Sequence, residues 1–397
     1  MPYRGAFMRI GIPVESGPNE RRVAAVPTSV KVFTGWGLDV VVQSGAGEGA
    51  GFPDAAYEAG GATLVDSTAV AHGCDIVLRV GPPAVDEITL MAAGSILVSF
   101  LDPYGNTELI AACGEQGITA VAAEAVPRTT LAQAMDALSS QATAAGYSAA
   151  LLAAAESPKL VPMLVTAAGT VRPARVLVLG VGVAGLQAIA TARRLGAVVH
   201  AYDLRPETRE QVESLGAKFV EAPTQAADEG GYATEVDEET AQRQQQILEQ
   251  YVADANVVIT TAQVPGRRAP LLVTRAMLQR MQTGSVVIDM AATSGGNVEG
   301  TVADEVVRVG RARVFGPTDL ASRVATDAST MYSRNLQELV GRMRGVDDGD
   351  EAAFAVRLDD EVVGPSTIVH HGTVVHPRTR EVMELPADGV VVSEGTA

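Results

Sequence analysis

Cysteine and aromatic residues are scarce in this chain. Of its 397 residues only two are cysteines and one is tryptophan, and aromatic residues make up 4% of the total. Two cysteines cannot build a disulfide framework, and Cys74 and Cys113 lack the paired spacing of a zinc site. We therefore expect no metal site, and a protein that works in the reducing cytoplasm.

Basic residues are outnumbered by acidic ones. The chain carries 30 Lys and Arg against 47 Asp and Glu, which gives a formal net charge of −17 at pH 7. A protein that follows the phosphates of nucleic acid needs a basic surface, and so does one that is drawn to anionic lipid. We therefore expect no nucleic-acid partner.

Long apolar runs are missing as well. The longest uncharged stretches, residues 137–155 and 176–192, contain either several hydroxyl and amide side chains or a glycine-rich turn pattern. Neither predicts a membrane span, and residues 1–7 lack the apolar core of a signal peptide. We expect no direct membrane insertion, and docking on a membrane protein stays open.

The sequence does contain a regular alternation of strand-like and helix-like segments. In the first third, β-branched runs separated by helical patterns predict strands at residues 8–13, 39–44, 75–80, 95–100 and 118–124. An Ala-rich pattern over residues 131–157, ended by Pro158, predicts a long connecting helix. Further strands are predicted at residues 175–180, 198–203, 217–221, 256–262, 285–291 and 312–316.

Strands that alternate with helices are typical of parallel sheets covered on both faces. We predict an α/β protein with two Rossmann-like, doubly wound parallel-sheet domains linked by long helices. The N-terminal domain is predicted to be discontinuous, with residues 1–137 completed by a helix and tail at about 327–397. The second domain is predicted to span residues 138–326.

A glycine motif at the start of the second domain predicts a dinucleotide site. Gly180, Gly182 and Gly185 form G-x-G-x-x-G directly after the strand VLVL and at the start of a helix, and Val183 within the motif is included in the predicted cofactor site. The first glycine permits a tight turn, the second lets the backbone approach a pyrophosphate, and the third lets helix and strand pack closely. The N-terminus of the helix would then face the phosphates.

An acidic residue ends the strand that follows the glycine motif. Asp203 would accept hydrogen bonds from the adenosine ribose hydroxyls and repel a 2′-phosphate, which favours NAD over NADP. Leu204 and Arg205 come next and are included in the predicted cofactor site. The guanidinium of Arg205 would weaken the preference for NAD if it reached a 2′-phosphate.

A second polar constellation lies where the connecting helix is predicted to begin. Arg128, Gln133 and Asp136 fall within VPRTTLAQAMDALSS. Gln133 and Asp136 are three residues apart, so we expect them to share a helix face. Arg128 would reach a phosphate or carboxylate, and the other two would hold a carboxamide. From the residues alone, roles as helix caps and dipole partners stay open.

Several stretches carry a family resemblance, and together they cover about residues 8–345. They are residues 8–27, 44–52, 126–147, 176–197, 202–219, 260–270 and 284–297. These stretches resemble the NAD(H)-binding component of proton-translocating NAD(P) transhydrogenases and, more distantly, alanine dehydrogenases. The spacing of Arg128, Gln133 and Asp136 is the specific part of the resemblance.

The resemblance implies a catalytic role for this loop. Arg128 would position the nucleotide and contact the partner, Gln133 would orient the nicotinamide ring, and Asp136 would anchor the carboxamide or order the loop. Ser139 is included among the cofactor-binding residues. Transhydrogenases also carry a mobile loop at the position of residues 222–240, where this chain has Gly231 and Tyr232.

Two positions depart from the alanine dehydrogenase pattern. Those enzymes carry an essential Lys at the position of Gly81 and a catalytic His at the position of Asp102, although Arg22 matches their substrate-binding Arg. Without the Lys and His, a substrate carboxylate would not be held and the proton would not be transferred. Gln263 departs from the apolar residue expected in transhydrogenases, so the adenine side of the site is expected to differ in detail.

The resemblance implies a function and a set of partners. The expected function is binding of NAD(H) and direct hydride transfer to NADP(H) held on a partner subunit, coupled to proton movement through separate membrane-spanning subunits. It also implies a homodimer, attached peripherally to the cytoplasmic membrane through its partners. The alternatives are a stand-alone NAD-dependent alanine dehydrogenase and an NAD-sensing module without catalysis.

Overall fold

The computed structural model describes residues 8–221, 238–264, 266–344 and 354–386. The chain divides into two compact units. Unit 1 consists of Met1–Gln141 and Ala321–Ala397, and unit 2 consists of Ala142–Leu320. Both units have a mixed α/β architecture that is built on a large, mainly parallel sheet of the Rossmann-like kind.

The elements are named in chain order. The strands are β1 (Arg9–Ile12), β2 (Asp39–Gln43), β3 (Thr63–Val65), β4 (Ile76–Leu78), β5 (Ile96–Ser99), β6 (Thr119–Ala122), β7 (Leu164–Thr166), β8 (Gly169–Val171), β9 (Arg175–Leu179), β10 (Val198–Tyr202), β11 (Lys218–Phe219), β12 (Val257–Thr260), β13 (Val286–Asp289), β14 (Val306–Val309), β15 (Ala312–Phe315), β16 (Thr367–His370) and β17 (Thr373–Val374). The helices are α1 (Pro27–Gly35), α2 (Asp54–Ala59), α3 (Thr68–His72), α4 (Val85–Ile88), α5 (Thr107–Glu115), α6 (Ala137–Glu156), α7 (Val183–Arg194), α8 (Thr208–Ser214), α9 (Glu238–Asp254), α10 (Arg275–Arg280), α11 (Ala325–Arg342), α12 (Val363–Ser366) and α13 (Pro377–Val382).

The sheet of unit 1 has the strand order β17-β16-β6-β5-β4-β1-β2-β3. Strands β1 to β6 pair in parallel, and β16 from the C-terminal region of the chain adds antiparallel to β6. The central strands are apolar and buried, as expected for a sheet covered on both faces. Helix α11 packs on α1, and its Tyr332 and Leu336 belong to the buried apolar cluster of this unit.

The sheet of unit 2 has the strand order β11-β10-β9-β12-β13-β15-β14. All pairs are parallel except β14 with β15. Strand β10, which follows β9 in the chain, pairs with one edge of β9. Strand β12, which comes later in the chain, pairs with the opposite edge of β9. The carboxyl ends of β9 and β12 therefore form a topological switch point, which is where open α/β sheets bind their ligands.

Close packing of α6 against α7 explains the glycine inside α6. A Cβ at Gly146 would lie 2.1 Å from the backbone O of Ala184 in α7, so only glycine allows the two helices to approach this closely. The long helical pattern therefore tolerates its one poor helix former because tertiary packing requires it.

The secondary structure differs in several details from the sequence-based expectation, and strands β3 and β14, for example, lie outside the predicted strands. The helix predicted over residues 131–157 begins only at Ala137, because Thr130–Met135 forms a 3₁₀ segment with Asp136 as its C-cap. The antiparallel hairpin β7–β8 is not predicted by the sequence pattern, and apolar side chains are exposed there, Val165 by 73% and the preceding Met163 by 61%. Among the residues that the structure describes, no helix has the length and apolar character needed to cross a membrane.

Candidate nucleotide-binding site

The glycine motif forms the turn between β9 and α7. Gly180 follows β9 with a φ of +97°, a left-handed conformation that favours glycine. A Cβ at Gly185 would lie 2.0 Å from the backbone O of Gly180, so this glycine allows α7 to start directly against the strand end. The turn is closed further by Thr261, whose Oγ1 donates to the O of Gly180 at 3.0 Å.

The second glycine faces open space. A Cβ built at Gly182 has no heavy atom within 4 Å. Gly182 is the N-cap residue of α7 and supplies no side-chain cap, and Val183 beside it is 41% exposed. The first N–H groups of a helix lack partners within the helix, and together with the helix dipole they favour an anion. The room and the donors at Gly182 therefore fit a phosphate group.

The carboxylate of Asp203 is bound on both oxygens. Its Oδ2 accepts the N–H of Val181 at 2.7 Å, and its Oδ1 accepts the N–H and the Nε of Arg205, both at 2.9 Å. The guanidinium of Arg205 also reaches Oδ2 at 3.1 Å. Leu204, between the two, packs its half-buried side chain on the apolar cluster around α9. An ionised carboxylate has about four lone-pair sites, and these four hydrogen bonds fill them, so a ribose hydroxyl would bind Asp203 by replacing one of the Arg205 donors.

The loop after β12 lies beside the glycine turn and is fixed by a buried amide. Asn297 accepts the N–H of Ala262 at 3.1 Å and donates its Nδ2 to the O of Ala262 at 2.8 Å. Gln263 follows in the chain and is exposed, and its Nε2 donates to the O of Met290 at 2.9 Å. Gln263 therefore lies at the switch-point edge of the sheet, with its amide held in one orientation.

A buried carboxylate supports the same edge of the sheet. Asp289, at the end of β13, accepts the Oγ1 of Thr260 and the N–H of Ala291 on Oδ1. Its Oδ2 accepts the N–H of Val298 at 3.0 Å and the Oγ1 of Thr301 at 2.7 Å. Sequence reasoning singles out neither Asp289 nor Asn297, although both belong to the resembling stretch 284–297.

The second predicted constellation lies in unit 1. Asp136 accepts the N–H of Ser139 at 2.9 Å and its Oγ at 2.6 Å, which is the geometry of an N-cap for α6. Gln133, in the 3₁₀ segment, and Arg128, ahead of it, are exposed. The expectation that Gln133 and Asp136 share a helix face is wrong, because the cap residue lies outside the helix that it starts.

The arginine that matches a substrate-binding residue of alanine dehydrogenases is engaged within the chain. Arg22 donates its Nε and Nη2 to Glu20, at 2.8 and 2.6 Å, and its Nη1 to Gln141 at 2.8 Å. Burial alone would raise the pKa of the Glu20 carboxyl, but the hydrogen bonds and charge of Arg22 outweigh burial and lower it. Gly81 provides no side chain, and Asp102 is exposed with a φ of +48°.

Gly231 and Tyr232 lie outside the described residues. Within the described ranges, no group of three or more His, Cys, Asp or Glu side chains comes together in a way that could hold a metal ion.

Comparison with known proteins gives a consistent result over most of the chain. The family model of the alanine dehydrogenase/PNT N-terminal domain matches residues 11–145, and that of the alanine dehydrogenase/PNT C-terminal domain matches residues 149–377. A relative from Rhodospirillum rubrum, named as the first part of an NAD(P) transhydrogenase subunit alpha, is 43% identical over 380 residues. This match covers 93% of the present chain and 98% of the relative.

Solved structures agree with the sequence comparison. A transhydrogenase from Sinorhizobium meliloti is 45% identical, with a TM-score of 0.83 and coverage of 92% of this chain and 100% of the other. An L-alanine dehydrogenase is 27% identical, with a TM-score of 0.79 and coverage of 95% and 99%. The fold is thus shared with both enzymes, and the sequence is nearer to the transhydrogenase.

Proposed function

The chain belongs to the alanine dehydrogenase/PNT family, and from this premise we propose that it is the NAD(H)-binding component of an NAD(P) transhydrogenase. The main observation in support of the proposal is the open space at Gly182, at the start of α7. The carboxylate of Asp203 is bonded to the neighbouring residue Val181. A dinucleotide needs these two features together, one for its pyrophosphate and one for its ribose.

In the proposed site, the first turn of α7 binds the pyrophosphate and Asp203 accepts hydrogen bonds from the adenosine ribose. Arg205 holds the Asp203 carboxylate in place through two of its side-chain nitrogens. Gly231, Tyr232 and Gln263 complete the predicted cofactor-binding set. When bound, the nicotinamide supplies the hydride chemistry, so the chain needs no acid or base of its own for that step.

The chain's contribution to the transfer would then be to hold the ring in place. Gln133 would orient the nicotinamide, Arg128 would position the nucleotide and meet the partner, and Asp136 would fix the loop by capping α6 at Ser139. Holding two reactants at near-attack distance is worth many orders of magnitude in rate. The acceptor would be NADP(H) on a partner subunit.

The name of the Rhodospirillum rubrum relative, which describes one portion of a subunit alpha, supports a multi-subunit assembly. We propose that the partners are an NADP(H)-binding subunit and membrane-spanning subunits that couple the transfer to proton movement, so that this chain is attached peripherally at the cytoplasmic side. A homodimer is also proposed. The exposed apolar hairpin β7–β8, with Val165 and the preceding Met163, supports it because such side chains are commonly buried at interfaces.

The experiment that tests the function measures hydride transfer from NADH to a spectrally distinct NADP⁺ analogue, with and without a soluble NADP(H)-binding transhydrogenase subunit. Rapid transfer only in the presence of the partner is expected. The Arg128→Ala variant should lose that transfer while NADH binding largely survives. Turnover of pyruvate and ammonium by the chain alone would contradict the proposal and indicate an alanine dehydrogenase, and NADH binding without any transfer would indicate a binding module.

A further inference from the structure

The segment that is predicted to hold the nicotinamide is tied down by Asn335, a residue of α11 that no motif singles out. Its side chain is buried, with 8% exposed. The Nδ2 donates to the backbone O of Ala134 at 2.8 Å, and the Oδ1 accepts the Oγ of Ser140 at 2.7 Å. Ala134 lies in the 3₁₀ segment and Ser140 in the first turn of α6. One amide therefore holds both sides of the turn at Asp136.

A second amide strengthens the same attachment. Gln141 follows Ser140 in α6 and is 6% exposed. Its Nε2 donates to the O of Ala328 in α11 at 3.0 Å, and its Oε1 accepts Arg22 at 2.8 Å. The start of α6 is thus fixed to α11 at two successive residues. Buried polar groups that are fully bonded in this way favour one conformation over its alternatives.

We propose that Asn335 is a positioning residue for hydride transfer. By fixing the turn at Asp136, it determines where the 3₁₀ segment presents Gln133, and where the preceding residues present Arg128. The inference rests on the proposed function, in which these two side chains meet the nicotinamide. A misplacement of about 1 Å is enough to reduce a rate about 100-fold. NADH affinity, in contrast, is proposed to come from the glycine turn and Asp203.

The test compares three variants in the full chain. Asn335→Ala removes both hydrogen bonds, and Ser140→Ala removes one of them. Ser333→Ala is the matched control, because Ser333 lies on the same helix, is fully buried, and accepts the N–H of Val26 at 3.0 Å, away from the 3₁₀ segment. For each variant we would measure the maximal transfer rate with the NADP(H)-binding subunit, the NADH dissociation constant and the melting temperature.

The expected result separates rate from binding. Asn335→Ala should lower the maximal transfer rate by about 10- to 100-fold while the NADH dissociation constant stays within about threefold. Ser140→Ala should have a smaller effect of the same kind, and Ser333→Ala should lower the melting temperature without changing the rate. A folded Asn335→Ala protein with the wild-type rate would overturn the inference, as would parallel losses of rate and binding in Asn335→Ala and Ser333→Ala.

A measurement without the partner keeps the two proposals apart. Hydrogen–deuterium exchange of the peptide that covers residues 128–141 should be faster in Asn335→Ala and unchanged in Ser333→Ala. Unchanged exchange in Asn335→Ala would contradict the positioning role, whatever the measured rate of hydride transfer. Faster exchange, combined with a wild-type chain that transfers no hydride to any partner, would contradict the proposed function and retain Asn335 as the residue that holds this segment.

Discussion

The carboxylate of Asp203 accepts the backbone N–H of Val181 at 2.7 Å, so the residue that is predicted to bind the ribose also fixes the glycine turn. Val181 and Arg205 together occupy the four lone-pair sites of the carboxylate, so a ribose hydroxyl would replace one of the Arg205 donors. The side chain of Arg205 adds two further bonds to this carboxylate, which holds it in one orientation before any nucleotide arrives. Binding is therefore expected to depend on the charge of Asp203 and not only on its shape.

The first prediction concerns that charge. Asp203→Asn keeps the size of the side chain but loses the ion pair with Arg205 and one acceptor oxygen. Since hydrogen bonds to a charged group contribute about 1.5–3 kcal/mol, the NADH dissociation constant should rise by about 10- to 100-fold. Titration of NADH fluorescence measures it. Asp254→Asn is the control, because its exposed pair with Arg175 lies at the opposite ends of the strands and should leave affinity unchanged.

Two glycines of the same motif should respond in opposite ways to alanine. A Cβ at Gly185 would collide with the O of Gly180 at 2.0 Å, so Gly185→Ala should cost about 1–3 kcal/mol of folding stability. A Cβ at Gly182 meets open space, so Gly182→Ala should keep the wild-type stability and still weaken NADH binding by about tenfold or more, because it fills the room left for the pyrophosphate.

Urea unfolding and NADH titration of both variants test this prediction. We expect a loss of stability in Gly185→Ala and a loss of NADH affinity at unchanged stability in Gly182→Ala. Equal stability in Gly185→Ala would mean that the turn relaxes easily. Unchanged NADH affinity in Gly182→Ala would mean that the pyrophosphate lies elsewhere. It would count against the open space at Gly182 as support for the proposed function.

Much of the fold can be predicted because its signals are local. The β-branched runs at residues 175–180 and 285–291 contain β9 and β13, since the interior of a strand that is buried on both faces is apolar. The glycine motif can be recognised in the same way, because its spacing and its position between a strand and a helix are visible in the sequence. The family resemblance also predicts the fold, and the solved structures of a transhydrogenase and an L-alanine dehydrogenase share it.

The rest cannot be predicted because it depends on contacts between distant parts of the chain. Helix propensity alone places the start of α6 at Leu131, but Asp136 caps the helix at Ser139 and Asn335 holds the segment before it from 201 residues away. Asn297 likewise fixes the loop at Ala262 across 35 residues. Propensity carries no information about such partners.

A third prediction concerns a buried charge cluster in unit 1. The guanidinium of Arg79 is fully buried and contacts Glu87 at 2.9 Å, Ser16 at 2.8 Å and Glu15 at 3.5 Å. It also donates to the Nε2 of His72 at 3.1 Å, since the Nδ1 of that ring faces a backbone carbonyl. Burial lowers the pKa of His72, which keeps the ring neutral and able to accept.

Removing the arginine leaves two carboxylates without their cation. Arg79→Met should therefore lower the free energy of unfolding by about 3–5 kcal/mol, as breaking a buried ion pair on one side does. Arg175→Met, which breaks an exposed pair, should cost no more than about 1 kcal/mol. Urea unfolding measures both. Similar small losses in the two variants would mean that the cluster is replaceable by apolar packing.

The last prediction concerns alkaline pH. Burial raises the pKa of the Cys74 thiol to about 11 and that of the Cys113 thiol to about 12, and both side chains are at most 1% exposed. A thiol in the unfolded chain ionises at about 8.5, so above that pH the unfolded state releases a proton that the folded state keeps. The free energy of unfolding should then fall by about 1.4 kcal/mol per pH unit for each thiol.

The decline should be visible between about pH 8 and pH 9.5, below the pKa of about 10 at which tyrosines ionise in the unfolded chain. Urea unfolding at the two pH values measures it, with the Cys74→Ala, Cys113→Ala double variant as the reference. The double variant should lose less stability over this interval, and its difference from the wild type gives the contribution of the thiols. Identical pH profiles would mean that the thiols ionise as easily in the folded protein, which iodoacetamide would then alkylate without denaturant.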